Sequence, residues 1–259
     1  MERLEEKGYI TDALYKPSIY PSKDPAFLHQ IMELLKPKRV KGVSLCRLGN
    51  NNDGGYVLVN DFEKVTAAYS FGIADDVSWD SDVANLGIDI YMYDPTIDAL
   101  PQFNERFHFY KKGITGERES KDYKKLTTFL NENGHSITED LLLKIDVEGY
   151  EWESFMTLSS DELSRFRQIT GEFHDLCDVN NQSIKLEVLK RLCETHQPIW
   201  VHGNNYEYAE ESDGMYMPNV MEITFVNRLH YEFDEGYPNE IKRLTTPNCT
   251  LLEDFNLYS

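Results

Sequence analysis

Leu141-Leu142-Leu143-Lys144-Ile145 runs straight into Asp146-Val147-Glu148-Gly149-Tyr150-Glu151. The first five positions are near-continuously apolar, the pattern of a β-strand covered on both faces. Such a strand belongs to a mainly parallel sheet flanked by helices, because a sheet with one wet face alternates apolar and polar residues. Three carboxylates then arrive in quick succession at the strand's end. Each must be paired, hydrogen-bonded or solvated. That suits a cation, whether a metal, an ammonium or a sulfonium. The competing reading is a plain helix start, with Glu148 and Glu151 near its positive dipole end.

Outward from this stretch, further apolar runs occur at Ala67–Ile73, Ile88–Tyr93, Phe107–Ile114, Gln168–His174, Pro198–His202 and Val220–Val226. Helices are predicted at about 76–86, 97–105, 122–133, 151–166 and 184–196. Strand–helix alternation of this kind implies βαβ units and a doubly wound α/β sheet. Between the last two strands lies only a polar, Tyr- and Glu-containing loop from Gly203 to about Met215, so a closing antiparallel pair is expected. Ahead of the sheet, Asp24-Pro25 is a good helix start and Pro37 a stop. Two alternating runs around Gly49-Asn50-Asn51-Asn52-Asp53-Gly54-Gly55 read as a hairpin. The chain therefore divides into an N-terminal appendage, 1–65, and one α/β domain, 66–259.

Of 259 residues, 41% are apolar and 12% aromatic, enough for a sizeable core. The formal charge of −19 argues against nucleic acid and anionic membranes, whose recognition needs clustered Lys and Arg. No apolar window approaches a membrane span, and the first residues contain no signal-peptide core. The four cysteines lack CxxC spacing and read as free thiols. The expectation is a soluble cytoplasmic protein acting on a small molecule, with a homodimer left open.

In a doubly wound sheet, ligands bind beyond the carboxyl ends of the strands. Gly72, in Ser70-Phe71-Gly72-Ile73-Ala74-Asp75-Asp76, would allow close backbone approach, although a strand-to-helix turn capped by Asp76 explains the same residues. Asp94, in Tyr93-Asp94-Pro95-Thr96, follows Gly72 by 22 residues, the position of a carboxylate that accepts from ribose hydroxyls. Its alternative role is that of an Asp-Pro turn former. Together the two features favour an adenosine-type ligand. Glu172 and His174 share one side of the next strand. With neighbouring strands about 4.8 Å apart, Asp146 and His174 should face one pocket. Imidazole and carboxylate there suit a general base or a divalent metal held by Asp146, Glu172 and His174.

These residues resemble a known family. Lys144-Ile145-Asp146-Val147-Glu148-Gly149-Tyr150-Glu151 looks like the K-I-D-V-E-G-x-E segment of FkbM-type S-adenosylmethionine-dependent methyltransferases. Arg47-Leu48-Gly49-Asn50-Asn51-Asn52-Asp53-Gly54-Gly55-Tyr56-Val57 is similar to the R-x-G-x-x-x-D-G-G-Y-V segment of related bacterial enzymes. Ser70-Phe71-Gly72-Ile73 and Val201-His202-Gly203-Asn204-Asn205 resemble their first-strand and late His-x-Asn-Asn motifs. The resemblance spans about residues 43–228. It implies a Rossmann-like class I methyltransferase fold, a seven-stranded, mostly parallel sheet with the last strand antiparallel. It places Gly72, Ala74 and Asp76 around the cofactor's methionine, Asp94, Pro95 and Thr96 at its ribose, and Ile114 and Thr115 near adenine. Asp53, Gly55 and Tyr56 would close over it. A single glycine in the first loop departs from the family's pattern. Members of this family mostly methylate hydroxyls, often on sugars or glycan precursors of bacterial surface polysaccharides.

The expected reaction is methylation of an acceptor oxygen, with His174 as general base, His202 second, and Asp146 beside them. Glu148 and Tyr206 would help bind the acceptor, and Asp146, Glu172, Asn204 and Asn205 would position it or hold Mg²⁺ or Mn²⁺. Rival readings are a nitrogen or phosphate-type acceptor, and a non-catalytic adenosine- or sugar-binding module.

Overall fold

The computed structural model describes residues 15–137, 139–236 and 241–258. Chain order begins with β1 (Ile19–Pro21) and α1 (Pro25–Leu34), whose start is capped by Asp24 accepting from the Phe27 amide. Strand β2 (Arg39–Val40) precedes the expected hairpin, β3 (Leu45–Leu48) and β4 (Tyr56–Val59), which pair antiparallel with Leu48 opposite Tyr56.

Seven later strands form the central sheet: β5 (Ala67–Phe71), β6 (Ile90–Tyr93), β7 (Phe107–Tyr110), β10 (Leu141–Ile145), β11 (Phe166–Phe173), β12 (His196–Gly203) and β15 (Met221–Asn227). Short strands β8 (Gly113–Ile114) and β9 (Tyr123–Lys124) pair with each other. The order across the sheet is β12-β15-β11-β10-β5-β6-β7. Strand β15 runs antiparallel to both β11 and β12, and the pairings from β11 through β7 are parallel. Strand order reverses between β5 and β10, which opens a crevice at their carboxyl ends.

Alternation along the strands feeds two cores. Tyr69 and Phe71 of β5 and Leu143 and Ile145 of β10 join one cluster. It is covered by α1, α3 (Leu126–Glu132), α4 (Glu151–Met156), α5 (Ser160–Leu163) and α6 (Gln182–Thr195). Ala68 and Leu142 join the other, under α2 (Ser78–Asn85), the β3–β4 hairpin and α7 (Ile241–Leu244). The appendage thus supplies core to both faces.

Four expected elements differ. The helix expected over 151–166 forms as two short ones, α4 and α5, and Phe166 already begins β11. No helix forms over 97–105, where Pro101 removes an amide donor and disfavours helical backbone at Leu100. The run Phe107–Ile114 breaks at Lys111-Lys112 into β7 and β8. The loop after Gly203 contains a hairpin, β13 (Ala209–Ser212) and β14 (Met215–Pro218), turning on Asp213 (φ 52°) and Gly214 (φ 81°) and adding β1 as a third strand. Asp-Gly between alternating runs is a strong hairpin signal. No helix among the described residues is long and apolar enough to cross a membrane, and the four cysteines are free.

Candidate active site

A cleft of about 570 Å³ opens at the carboxyl ends of β5, β6 and β10. Its walls include Asp53, Gly72, Ala74, Asp76, Asp94, Pro95, Thr96, Ile114, Asp146 and Glu148, dispersed in sequence and brought together by the strand-order reversal. Phe71, Ile73, Tyr93 and Tyr123 give it apolar surface. Gly72 sits at φ +77°, and a Cβ there would lie 1.5 Å from the Asp146 carbonyl oxygen, so the loop after β5 and the end of β10 pack backbone to backbone. Lys144, buried, donates from Nζ to the Gly72 carbonyl at 2.8 Å and fixes the same turn.

Asp94 organises that turn. Its Oδ2 accepts from the Ile73 and Ala74 amides at 2.9 Å each, and its Oδ1 from the Thr96 amide and hydroxyl at 2.7 and 2.6 Å. Burial opposes its ionisation, but the Thr96 hydroxyl and these amides outweigh burial and hold its pKa below the ordinary carboxylate value. A ribose hydroxyl would have to exchange with or add to donors already present. The glycine-rich segment is held from the other side: Asn50 Nδ2 donates to Asp76 Oδ2 at 2.8 Å and the Gly49 amide to Asp82 Oδ2 at 2.8 Å. Arg47 donates to the Asn50, Asn52 and Leu244 carbonyls.

Behind Asp146 and Glu148, which line the cleft, the structure gathers Glu172 and His174, neither of which is a lining residue. His174 Nδ1 meets Glu151 Oε1 at 3.1 Å, and its Nε2 lies 3.3, 3.6 and 3.9 Å from Glu172, Glu148 and Asp146. Burial resists its charge, but the bonded Glu151 and Glu172 carboxylates prevail and raise its pKa to about 11. A histidine held protonated donates rather than accepts, so the arrangement does not suit His174 as a free base. Asp146, by contrast, is raised to about 7, first by burial and then by the charge of Glu172. Glu151 anchors the group: it is buried and accepts from the Val147 and Gly149 amides at 2.8 and 3.0 Å.

Other expected site residues stand outside the cleft walls. His202 is buried, with Nδ1 2.7 Å from Glu222 Oε2 and Nε2 2.9 Å from Asp254 Oδ1, so neither nitrogen faces the cleft. Burial disfavours its charge, but those two acids raise its pKa to about 9. Asn205 ties down the C-terminal segment, donating to the Cys249 carbonyl at 3.0 Å and accepting from its amide at 2.7 Å. Asn204 donates to Glu172 Oε1 at 2.9 Å. Tyr206 is partly exposed, beside Asp53. Thr115 donates its hydroxyl to Glu153 at 3.2 Å. Gly55 and Tyr56 are buried beneath the rim, where a Cβ on Gly55 would lie 1.8 Å from the Asn50 carbonyl oxygen.

The sequence reading missed Glu222, Asn248 and Asp254. Glu222 had a visible signal, since Glu222 and Thr224 interrupt the apolar run of β15 at alternate positions. Asn248 and Asp254 lie in irregular chain and had none.

No family model matches the chain. It is similar to the human probable methyltransferase-like protein 24, 25% identical over 118 residues, covering 41% of this chain and 32% of the human protein. The chain therefore matches about a third of that relative's length.

Proposed function

We propose that the protein is an S-adenosylmethionine-dependent methyltransferase of the FkbM type, methylating a hydroxyl of a sugar or glycan precursor in bacterial surface-polysaccharide synthesis. The observation that carries this reading is the cleft itself, set where strand order reverses and rimmed by Asp94 at one end and Asp146 at the other. The likeness to a methyltransferase-like protein supports the same class.

The residues fit the cofactor. The cleft volume lies within the range of small-molecule sites. Its apolar walls suit a planar base, its carboxylates suit a positively charged sulfur, and Trp79 Nε1, buried at the wall without a hydrogen-bond partner among the described residues, offers a donor. A dinucleotide is disfavoured, because Asp75 and Asp76 would face its pyrophosphate. When bound, S-adenosylmethionine supplies an electrophilic methyl group.

The chain's own contribution is placement and proton removal. Gly72 and Ala74 present backbone, Asp94 holds the loop and rims the ribose end, and Ile114 and Tyr123 flank the base. Asp146 both lines the cleft and lies 3.9 Å from His174 Nε2, which makes it the group placed to take the acceptor's proton. Glu151 orients His174, and Glu172 and Asn204 continue the acceptor side. A phosphate-type acceptor is opposed by this many carboxylates; a cationic amine is the rival they would tolerate.

Calorimetry with S-adenosylmethionine, its demethylated product and NAD tests the reading. Binding of the first two without NAD is expected. Absence of both would overturn it.

A further inference from the structure

Glu172 and Glu222 are direct register partners on the antiparallel strands β11 and β15. Their side chains therefore stand side by side on one face, where like charges directly opposite are destabilising. Both are buried. Asp53, from the β3–β4 loop, joins them, and a carboxylate oxygen of each lies within 4.8 Å of the others. The protein answers these charges only in part. Asn204 donates to Glu172, His202 to Glu222, and Asn248 Nδ2 bridges Glu222 at 2.7 Å and Asp53 at 3.0 Å. His202 is shared with Asp254 and His174 with three other carboxylates. Arg47, the next cation, spends its N–H groups on backbone carbonyls.

Two buried polar groups at this point have nothing to bind among the described residues. Asn248 Oδ1, on the very amide that bridges Asp53 and Glu222, has no partner there, in a residue 3% exposed. Tyr56, 1% exposed, feels the charges of Asp146, Glu172, Glu222 and Asp53, yet its hydroxyl makes no hydrogen bond to a described residue. An unmet carbonyl oxygen and hydroxyl beside three crowded carboxylates form an all-oxygen set, which is the donor chemistry of a hard divalent cation.

We propose that Asp53, Glu172 and Glu222 bind a divalent cation of the Mg²⁺ or Mn²⁺ class, with Asn248 and Tyr56 beside it. This moves the metal one strand across from the Asp146, Glu172 and His174 set that the sequence suggested. In the neighbouring group Asp146, Glu148 and His174, Glu148 is exposed and His174 is already bonded to Glu151. The ion's use rests on the methyltransferase reading: between the cleft's far end and Tyr206 it would hold an acceptor with two adjacent oxygens, such as a sugar diol. Its binding does not depend on that reading.

Manganese titration of the full chain, followed by calorimetry and electron paramagnetic resonance, tests this. One Mn²⁺ per chain is expected, displaced by excess Mg²⁺. Asp53→Asn, at an exposed loop position that should not disturb folding, should weaken it about tenfold; Glu222→Gln, which lies outside the cofactor cleft, should weaken it about a hundredfold with S-adenosylmethionine affinity within about twofold of the parent. Manganese binding without cofactor binding would uphold the ion and sink the methyltransferase reading. No binding at millimolar Mn²⁺, or Asp53→Asn binding like the parent while His174→Ala does not, would overturn the site.

Discussion

At the amino end of the central sheet, His196 is buried with Nε2 donating to the Phe166 carbonyl at 2.9 Å and Nδ1 2.8 Å from the Thr195 hydroxyl. At the carboxyl end, His174 is buried among four carboxylates. The two side chains are chemically identical, and their surroundings push them in opposite directions. Burial lowers His196 to about 4, so it is neutral, whereas Glu151 and Glu172 overcome burial at His174. Arg167 repeats the contrast: at the amino end it is buried, bonded to Asp61 and to Asp140, and stacked over Tyr231. Among the described residues both ends leave buried polar atoms unmatched, Arg167 Nε and Gln197 Oε1 at the amino end and Trp79 Nε1 and Asn248 Oδ1 towards the carboxyl end. The difference is open space: Trp79 lines the cleft, and an unmet buried group beside a cleft is what a binding site offers a ligand.

If that division is correct, changes at the two ends should separate stability from binding. The largest effect belongs where the ends meet through backbone. Gly72→Val puts a β-branched residue at φ +77° against the Asp146 carbonyl and should cost roughly 3 kcal/mol or more, read by urea denaturation, with loss of the cleft. Arg167→Leu leaves Asp61 and Asp140 without their cation and should cost about 3 kcal/mol while cofactor affinity stays unchanged. A fall in affinity out of proportion to stability would break the comparison.

His196 gives the pH test. Its folded pKa lies below the ordinary histidine value of about 6.5, so its contribution is present above that pH. The contribution is lost as pH falls from about 6.5 towards 4, because the unfolded chain takes the proton first. The loss should reach about 3 kcal/mol by pH 4, and a His196→Gln variant should show a flatter melting temperature across that window. The smallest effect on stability is at Asp94. Asp94→Asn keeps its size but loses an acceptor for the Ile73 and Ala74 amides or for Thr96; about 1–2 kcal/mol of stability and roughly tenfold in S-adenosylmethionine affinity should go. Stability loss with full affinity would make Asp94 a turn former only.

Much of this was legible in the sequence. The strands were visible because doubly covered strands are written as apolar runs, and the cleft residues because polar groups at the ends of such runs have few structural uses. Helix 97–105 misled because its apolar spacing was read past Pro101. The β13–β14 hairpin was overlooked among acids and tyrosines although Asp213-Gly214 marked its turn. His202 and Asn205 looked like site residues because their motif adjoins Asn204, which does reach Glu172. Nothing in the sequence indicated that Asp254 and Cys249 would occupy them.

By itself, the sequence determined which segments become strands and which residues stand at their ends, since alternation and apolar runs are local properties of the chain. Tertiary structure alone decided which carboxylates face one another. The Glu172–Glu222 pairing, the Asp94 clasp on Ile73 and Ala74, and the opposite fates of His174 and His196 all depend on strand register and on segments far apart in the chain. Charge and hydrogen bonding respond to distances in space, and those distances exist only once the chain has folded.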